Sequence, residues 1–126
     1  IPLRLVGSEM CIRDSSKALD VTTNLMQAHS KATGIFAEND EMAIGAISAL
    51  GSKAGQSAKV VGFDGTADGI KAVKAGTMGA TIAQQPALLG KTAVDQAADI
   101  LAGKQVSKTT PIKVVLVTKD NAKDYE

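Results

Sequence analysis

Three planar polar side chains each stand where a short apolar stretch of the sequence ends. Asn39 follows TGIFA, Asp64 closes KVVGFD, and Gln84 follows MGATIA. A carboxylate accepts hydrogen bonds only, whereas the amides of Asn and Gln both donate and accept them. Side chains of these types, when they converge, hold and orient a neutral polyhydroxylated ligand. We therefore take the three residues as candidate ligand-binding residues.

Each of the three residues also has an interpretation that needs no ligand. Asn39 could cap a helix that follows it. Asp64 stands before Gly65, and Asp-Gly is a common turn pair in which the carboxylate bonds nearby backbone. Gln84 could be a loop residue that caps a helix beginning at Pro86. Spacing alone leaves both interpretations open at each position.

Residues suited to catalysis or to cofactor binding are few and poorly placed. His29 lies in QAHSK with no nucleophile nearby in the sequence, which is typical of a solvated helix end. The segment GFDGTADG lacks both the GxGxxG spacing and the lysine and hydroxyl of a phosphate-binding loop. A single cysteine, Cys11, and a single histidine cannot form a structural zinc site or an internal disulfide. We expect no enzyme activity, no cofactor and no bound metal.

The composition favours a folded domain without affinity for nucleic acid. The 126 residues are 44% hydrophobic and 21% charged, which is enough to bury a core. Lys and Arg number 14 against 13 Asp and Glu, so a net charge of +1 gives no basic surface for a phosphate backbone. The aromatic residues Phe36, Phe63 and Tyr125 are too few for base stacking. No apolar run approaches the roughly 18 residues of a membrane-spanning helix.

Apolar periodicity alternates between helix and strand along the chain and predicts an α/β fold. The predicted helices cover residues 16–30, 40–50, 67–75 and 86–102, and the predicted strands cover residues 33–37, 59–63, 78–83 and 112–117. Such alternation is typical of a parallel sheet with helices on both faces, a three-layer architecture. Ligands of these sheets bind outside the carboxyl ends of the strands, where the three candidate residues fall. Strand alternation also predicts that Phe36 and Phe63 are core residues.

The first fifteen residues, IPLRLVGSEMCIRDS, follow neither a strand nor a helix period. The stretch VGSEMCIRDS resembles the translation of a sequencing adapter, an artefact found at the broken ends of assembled reading frames. The alternative is an irregular native N-terminus. We favour the artefact, so residues 1–15 are expected to be non-native and are left out of the fold prediction.

Three segments together resemble one known family. FAENDEMAIGAISAL, KVVGFDGTADGIKAVKAG and MGATIAQQP occur in this order in the ribose-binding proteins of periplasmic sugar-uptake systems, and the likeness runs over about residues 16–119. Members of that family have two α/β lobes joined by three crossovers, and they deliver one sugar to an ABC-type permease without catalysis. In the family, the Asn of FA(Q/E)ND, the Asp of VGFDG and the Gln ending ATIAQ hydrogen-bond the sugar. The resemblance thus implies sugar binding by Asn39, Asp64 and Gln84.

The resemblance also implies how the chain divides. Residues 16–84 correspond to part of the C-terminal lobe, residues 85–112 belong to the N-terminal lobe, and residues 113–126 form a return strand and a polar tail. The chain is then a C-terminal fragment that lacks most of the first lobe and its stacking phenylalanines. A further phenylalanine of the family's site falls roughly where this sequence has Arg13. Because the apolar face at residues 86–102 belongs on the absent lobe, we expect marginal stability and aggregation.

The implied partners are a ribose-like monosaccharide and the membrane permease of an ABC transporter, with a chemoreceptor as a further candidate. The resemblance implies a periplasmic location and a monomer when the protein is complete, although the sequence contains no signal-peptide pattern. The alternative is the effector-binding domain of a LacI-type repressor, which shares the fold and the NDxxAxG and VGFD motifs. Repressors typically continue VGFD with another Asp, whereas this chain has Gly65, so the sugar-uptake interpretation is preferred.

Overall fold

Strands and helices alternate along the chain in the computed structural model, which describes residues 2–5 and 15–125. The described strands are β1 (Pro2–Leu5), β2 (Gly34–Ala37), β3 (Lys59–Asp64), β4 (Ala80–Ala83) and β5 (Val115–Thr118). The described α-helices are α1 (Ser15–Ala28), α2 (Asp40–Leu50), α3 (Ala67–Ala75) and α4 (Pro86–Leu101). Short 3-10 helices lie at Gly51–Lys53 and Ala122–Asp124. The predicted α/β fold class is confirmed.

Local capping residues explain where α2 and α3 begin and where α3 ends. The side chain of Asn39 accepts a hydrogen bond from the backbone of Met42 and starts α2. Thr66 starts α3 in the same way, with Gly69 as the donor. Gly76 ends α3 in the left-handed conformation, at a φ of 79°, which glycine adopts without steric cost.

The five strands form one sheet in the order β1-β2-β3-β4-β5. Strands β1 to β4 are parallel, which was predicted for β2, β3 and β4, whereas β5 runs antiparallel to β4, with Ala83 opposite Val115. The direction of β5 was not predicted. The chain leaves the sheet at the carboxyl end of β4 and re-enters at that same end, so the returning strand must run the other way. Strand β5 also begins three residues later than the predicted residue 112.

Strand β1 lies within the segment for which no element was predicted. Its residues pair in parallel with β2, from Pro2 opposite Gly34 to Leu5 opposite Ala37. Cys11 and Arg13 lie outside the described residues. The interpretation of residues 1–15 as non-native remains a prediction.

The core lies between one face of the sheet and the helices α1, α2 and α3. Side chains of one parity along the strands are buried there: Ile35, Ala37, Val60, Thr81, Ala83 and Val117. They meet buried residues of the helices, namely Ala18, Met42, Ala43, Ala46, Ile70 and Val73. Small residues allow close contact, since a side chain at Gly45 would clash with Ser15 and Ala18 of α1. The helices therefore pack closely against one another as well as on the sheet.

The opposite face of the sheet has no helical cover within the described residues. Phe36 is 37% exposed and Leu116 is 54% exposed, while Val61, Phe63 and Ile82 are partly buried. The expectation that Phe36 is a core residue is therefore wrong, and Phe63 is only partly buried. Right-handed crossovers between strands that are added in one direction place every helix on the same side. The described part of the chain thus supplies two of the three predicted layers.

Helix α4 stands apart from this core. None of its described residues is buried, and its apolar side chains Val94 and Leu101 are 69% and 89% exposed. Lys91 and Asp95 form an ion pair on the surface of this helix. The hydrogen bond within the pair raises the pKa of Lys91. The exposed apolar face agrees with the expectation from the sequence that this helix lacks its packing partner.

The exposed apolar residues of α4 generate a prediction about self-association. Replacing Val94 and Leu101 together with lysine removes apolar surface and adds charge, so the 126-residue chain should associate less. Sedimentation velocity measures this as a higher fraction of monomer. The control variant carries Ser52→Lys and Gln56→Lys, which add the same charge at exposed polar positions and should leave association unchanged. A wild-type chain that sediments only as a monomer would contradict the prediction.

Candidate functional site

The carboxyl ends of β2, β3 and β4 lie side by side because these strands are parallel neighbours. The residues at or just after these ends therefore share one edge of the sheet, here called the site edge: residues 38–40, 64–66 and 84–85. All three residues predicted from the sequence fall on it. The side chains of Asp64 and Gln84 are in direct contact, whereas the side chain of Asn39 caps α2.

Asn39 is the N-cap residue of α2. Its Oδ1 atom accepts a hydrogen bond of 2.8 Å from the backbone N–H of Met42, and the residue is only 4% exposed. The interpretation as a helix cap is therefore confirmed. The cap uses the carbonyl oxygen alone, so the amide N–H₂ group of Asn39 is the part of the side chain that could donate to a ligand.

Asp64 and Gln84 are the residues in contact. The Nε2 atom of Gln84 donates to Oδ1 of Asp64 at 2.5 Å, and the backbone N–H of Gln84 donates to the carbonyl of Asp64 at 3.4 Å. Gln84 is exposed and Asp64 is partly buried. The pair presents a carboxylate, which accepts hydrogen bonds, beside an amide, which both donates and accepts them, on the site edge.

Backbone strain is concentrated at the same edge. Within residues 2–5 and 15–125, the non-glycine residues with positive φ are Asp64, at 110°, and Gln85, at 56°. Gly65, between Asp64 and Thr66, has a φ of 72° and no room for a side chain because Ala83 lies against it. Conformations of this kind cost about 1–3 kcal/mol each and cluster at ligand sites, where the surrounding structure maintains them.

A buried carboxylate lies beneath the strained turn. Asp40, in the first turn of α2, is 0% exposed. Its Oδ2 accepts from the backbone N–H of Thr66 at 2.7 Å and from the Thr66 hydroxyl at 3.0 Å. Its Oδ1 accepts from the hydroxyl of Thr81, in β4, at 2.6 Å. One side chain of α2 thus bonds both the turn after β3 and the interior of β4.

Sequence reasoning missed this role for Asp40, because an aspartate in the first turn of a helix is already explained by its favourable charge at the helix N-terminus. The available signal was Thr81, the one polar residue in the apolar strand ATIA. A polar side chain inside a buried strand requires a hydrogen-bonding partner. Nothing local in the sequence identifies that partner, because Asp40 and Thr81 are 41 residues apart.

The ionisable side chains on the site edge are the carboxylates of Glu38, Asp40 and Asp64. In the described ranges, no group of three or more His, Cys, Asp and Glu residues is arranged to hold a metal ion. His29 is exposed just beyond the C-terminal end of α1, as predicted, and it is not one of the residues of the site edge. Among the described helices, none has the length and apolar character needed to cross a membrane.

A family comparison identifies the architecture. The family model described as "Periplasmic binding protein domain" matches residues 3–105. The chain belongs to the periplasmic binding protein family.

Curated members of the periplasmic binding protein family are similar to the chain over most of its length. The ribose import binding protein RbsB of Haemophilus influenzae is 46% identical over 115 residues, which cover 91% of this chain and 39% of that protein. The protein of the same name from Bacillus subtilis is 43% identical over 93% of this chain and 38% of its own length. The chain therefore spans about two fifths of the length of these relatives.

Solved periplasmic binding proteins share the fold. A solute-binding protein of an ABC transporter from Actinobacillus succinogenes, with bound D-allose, superposes with a TM-score of 0.84 at 34% identity, covering 90% of this chain and 41% of that one. A myo-inositol binding protein from Caulobacter, bound to myo-inositol, gives a TM-score of 0.78 at 33% identity and covers 88% of this chain and 39% of its own.

The close packing around Asp40 generates a prediction about stability. Gly69 lies inside α3, where alanine normally favours the helix. The Cβ atom of an alanine at this position, however, would fall closer than 3.0 Å to the Asp40 carboxylate. We expect Gly69→Ala to lower the free energy of unfolding of the chain by about 1–3 kcal/mol, as overpacking does. Chemical denaturation measures the change.

Gly90 in α4 provides the matched control, because a Cβ atom there meets nothing within 4 Å. Gly90→Ala should leave the free energy of unfolding unchanged or raise it by up to about 1 kcal/mol. If Gly69→Ala were as well tolerated as Gly90→Ala, the carboxylate of Asp40 would have room to move and the packing argument would fail.

Proposed function

We propose that this protein is the substrate-binding component of an ABC-type sugar uptake system and that it binds D-ribose or a related monosaccharide without changing it chemically. The observation that carries the proposal is the Asp64–Gln84 pair, which displays a carboxylate and an amide together at the carboxyl edge of a parallel sheet. Membership of the periplasmic binding protein family and the similarity to ribose import binding proteins support it.

The three site residues would divide the recognition of a sugar between them. Asp64 offers acceptors to two neighbouring hydroxyl groups, and hydrogen bonds to a charged acceptor are the stronger ones. Gln84 both donates and accepts, and its present bond to Asp64 keeps both side chains in place until hydroxyl groups replace it. Asn39 contributes its amide N–H₂ group. None of these groups is arranged for bond cleavage, so binding without catalysis fits the site best.

The choice of ribose rests on similarity and is open to direct measurement. The relatives named for ribose import match this chain over a longer stretch, 115 and 117 residues at 46% and 43% identity, than the D-allose-binding protein of Escherichia coli, which is 44% identical over 92 residues. A binding panel should contain D-ribose, D-allose, D-xylose and myo-inositol. Binding of another member of the panel but not of ribose would overturn the choice of ligand and leave the sugar class intact.

The division of the chain that the sequence suggested is also part of the proposal. Residues 16–84 belong to the C-terminal lobe, residues 85–112 to the N-terminal lobe, and residues 113–126 form the return strand and tail. The absence of buried residues in the described part of α4 supports it. So does a hydrogen bond from Gln85 Nε2 to the backbone carbonyl of Lys113, which joins the outgoing and returning segments.

The remaining functional assignments follow from the proposed role. The complete protein would be a periplasmic monomer, would pass its sugar to a membrane permease, and could also be recognised by a chemoreceptor. The alternative, an effector-binding domain of a LacI-type repressor, is not favoured, because the curated relatives at 43–46% identity are import binding proteins.

Removing the carboxylate of Asp64 tests the proposed site. In the full-length protein recovered from the source locus, we expect Asp64→Ala to weaken ribose binding by at least about tenfold. Hydrogen bonds to a charged group are worth about 1.5–3 kcal/mol, and 1.4 kcal/mol corresponds to a factor of ten. Isothermal titration calorimetry measures the dissociation constant.

Asp68→Ala is the matched control for Asp64→Ala. Asp68 lies on α3 four residues away, its side chain is 74% exposed, and it forms an ion pair with Lys71 on the surface. This change should leave ribose affinity within about twofold, because exposed ion pairs contribute little. An Asp64→Ala protein that binds within about threefold of wild type would remove Asp64 from the site.

Sequencing the source genomic locus upstream of Ser16 distinguishes the two functions. We expect a reading frame that opens with a signal peptide and an α/β lobe carrying paired phenylalanines upstream of Ser16. That outcome would also mark residues 1–15 as foreign. A frame that instead opens with a helix-turn-helix would make the protein a regulator, and the same three residues would bind an inducer.

A further inference from the structure

The hydrogen bonds of Asp40 have a fixed direction that follows from chemistry. A carboxylate accepts and does not donate, so the hydroxyl protons of Thr66 and Thr81 must both point at Asp40. Each hydroxyl oxygen is then left with lone pairs for other donors. Thr81 Oγ1 accepts from the backbone N–H of Gly65 at 3.2 Å, and Thr66 Oγ1 accepts from the backbone N–H of Gly69 at 3.1 Å.

These bonds fix the turn that presents Asp64. Gly65 and Thr66, the two residues after Asp64, both donate backbone N–H groups into the network, Gly65 through Thr81 and Thr66 directly. The turn contains two successive positive φ angles, at Gly65, where glycine tolerates it, and at Asp64, where a residue with a side chain avoids it. The network therefore supplies the external bonds that keep the turn in its unfavourable conformation.

The same carboxylate connects the turn to the strand that carries Gln84. Thr81 lies in β4, three residues before Gln84, and its hydroxyl bonds both Asp40 and the turn. Asp40 itself directly follows the helix cap Asn39. One buried side chain thus sets the relative positions of the three segments that carry the candidate site, although it contacts none of the three site side chains.

We propose that Asp40 is a positioning residue of the sugar site: it acts on the ligand only through the turn at residues 64–66 and through Thr81. The proposal rests on the proposed function and deepens it, since it assigns the geometry of the Asp64–Gln84 pair to a residue that is shielded from the ligand. Asp40 has 0% exposure, so it is not a contact residue.

A double-mutant cycle on the full-length protein tests this role. Asp40→Asn keeps the size of the side chain but puts a donor where one of the acceptors was. We expect it to weaken D-ribose binding by about tenfold or more, measured by isothermal titration calorimetry. In a protein that already carries Asp64→Ala, the same change should cost less than about threefold, because the carboxylate presented by the turn that Asp40 holds is gone.

Non-additivity separates positioning from a general effect on stability. A residue that merely stabilises the fold would lower the denaturation midpoint while leaving the affinity of the folded protein unchanged. Equal losses of affinity from Asp40→Asn in the presence and in the absence of the Asp64 carboxylate would show that Asp40 does not act through Asp64, and would overturn the proposal.

Thr81 provides a second test that does not depend on whether the Asp40 variant folds. Thr81→Val keeps the shape of the side chain and removes the hydroxyl, whereas Thr81→Ser keeps the hydroxyl. We expect Thr81→Val to weaken ribose binding by about fivefold or more and Thr81→Ser to bind within about twofold of wild type. Equal affinities for the two variants would overturn the proposal.

The outcomes also separate this proposal from the proposed function. A wild-type full-length protein that binds none of the sugars in the panel contradicts the proposed function and this inference with it. Normal ribose binding by wild type, together with near-normal binding by Asp40→Asn and Thr81→Val, contradicts the positioning role alone and leaves the sugar-binding function in place.

Discussion

The buried carboxylate of Asp40 is the constraint on which the geometry of the site edge depends. A carboxylate taken out of water is strongly unfavourable unless fixed donors replace its hydration. Here the donors come from the turn after β3 and from the middle of β4, so the charge can be satisfied only when α2, β3 and β4 have their native arrangement. Gly62 and Gly69 lie against the Asp40 carboxylate, and a side chain at either position would occupy the space of that carboxylate. Folding and site formation are therefore one event in this region.

Much of the fold could be predicted because its signals are local. Asn39, Thr66, Gly76 and Pro86 mark helix ends through bonds or dihedral angles that involve only their near neighbours, and α3 was predicted at its observed bounds. The meeting of Asp64 with Gln84 was also predictable, since both follow strands whose carboxyl ends share one edge in any parallel sheet.

The missed features depend on contacts between distant parts of the chain. Strand β1 has no periodicity of its own and is defined by pairing with β2. The exposure of Phe36 depends on which face of the sheet receives the helices, which is a property of the strand order and not of the strand itself. The role of Asp40 depends on Thr81, which is 41 residues away. The sequence around Asp40 would be the same whether its side chain were exposed at the start of a helix or buried in a hydrogen-bond network.

The excursion through α4 leaves β4 and returns to pair with that same strand, so its two ends meet where Gln85 bonds Lys113. A body held at a single point can swing in every direction, but a body held at two neighbouring points can only turn about the line that joins them. That line runs beside Gln84, at the rim of the site edge. The two segments that connect α4 to the sheet therefore restrict how this helix can move relative to it, and they do so next to Gln84.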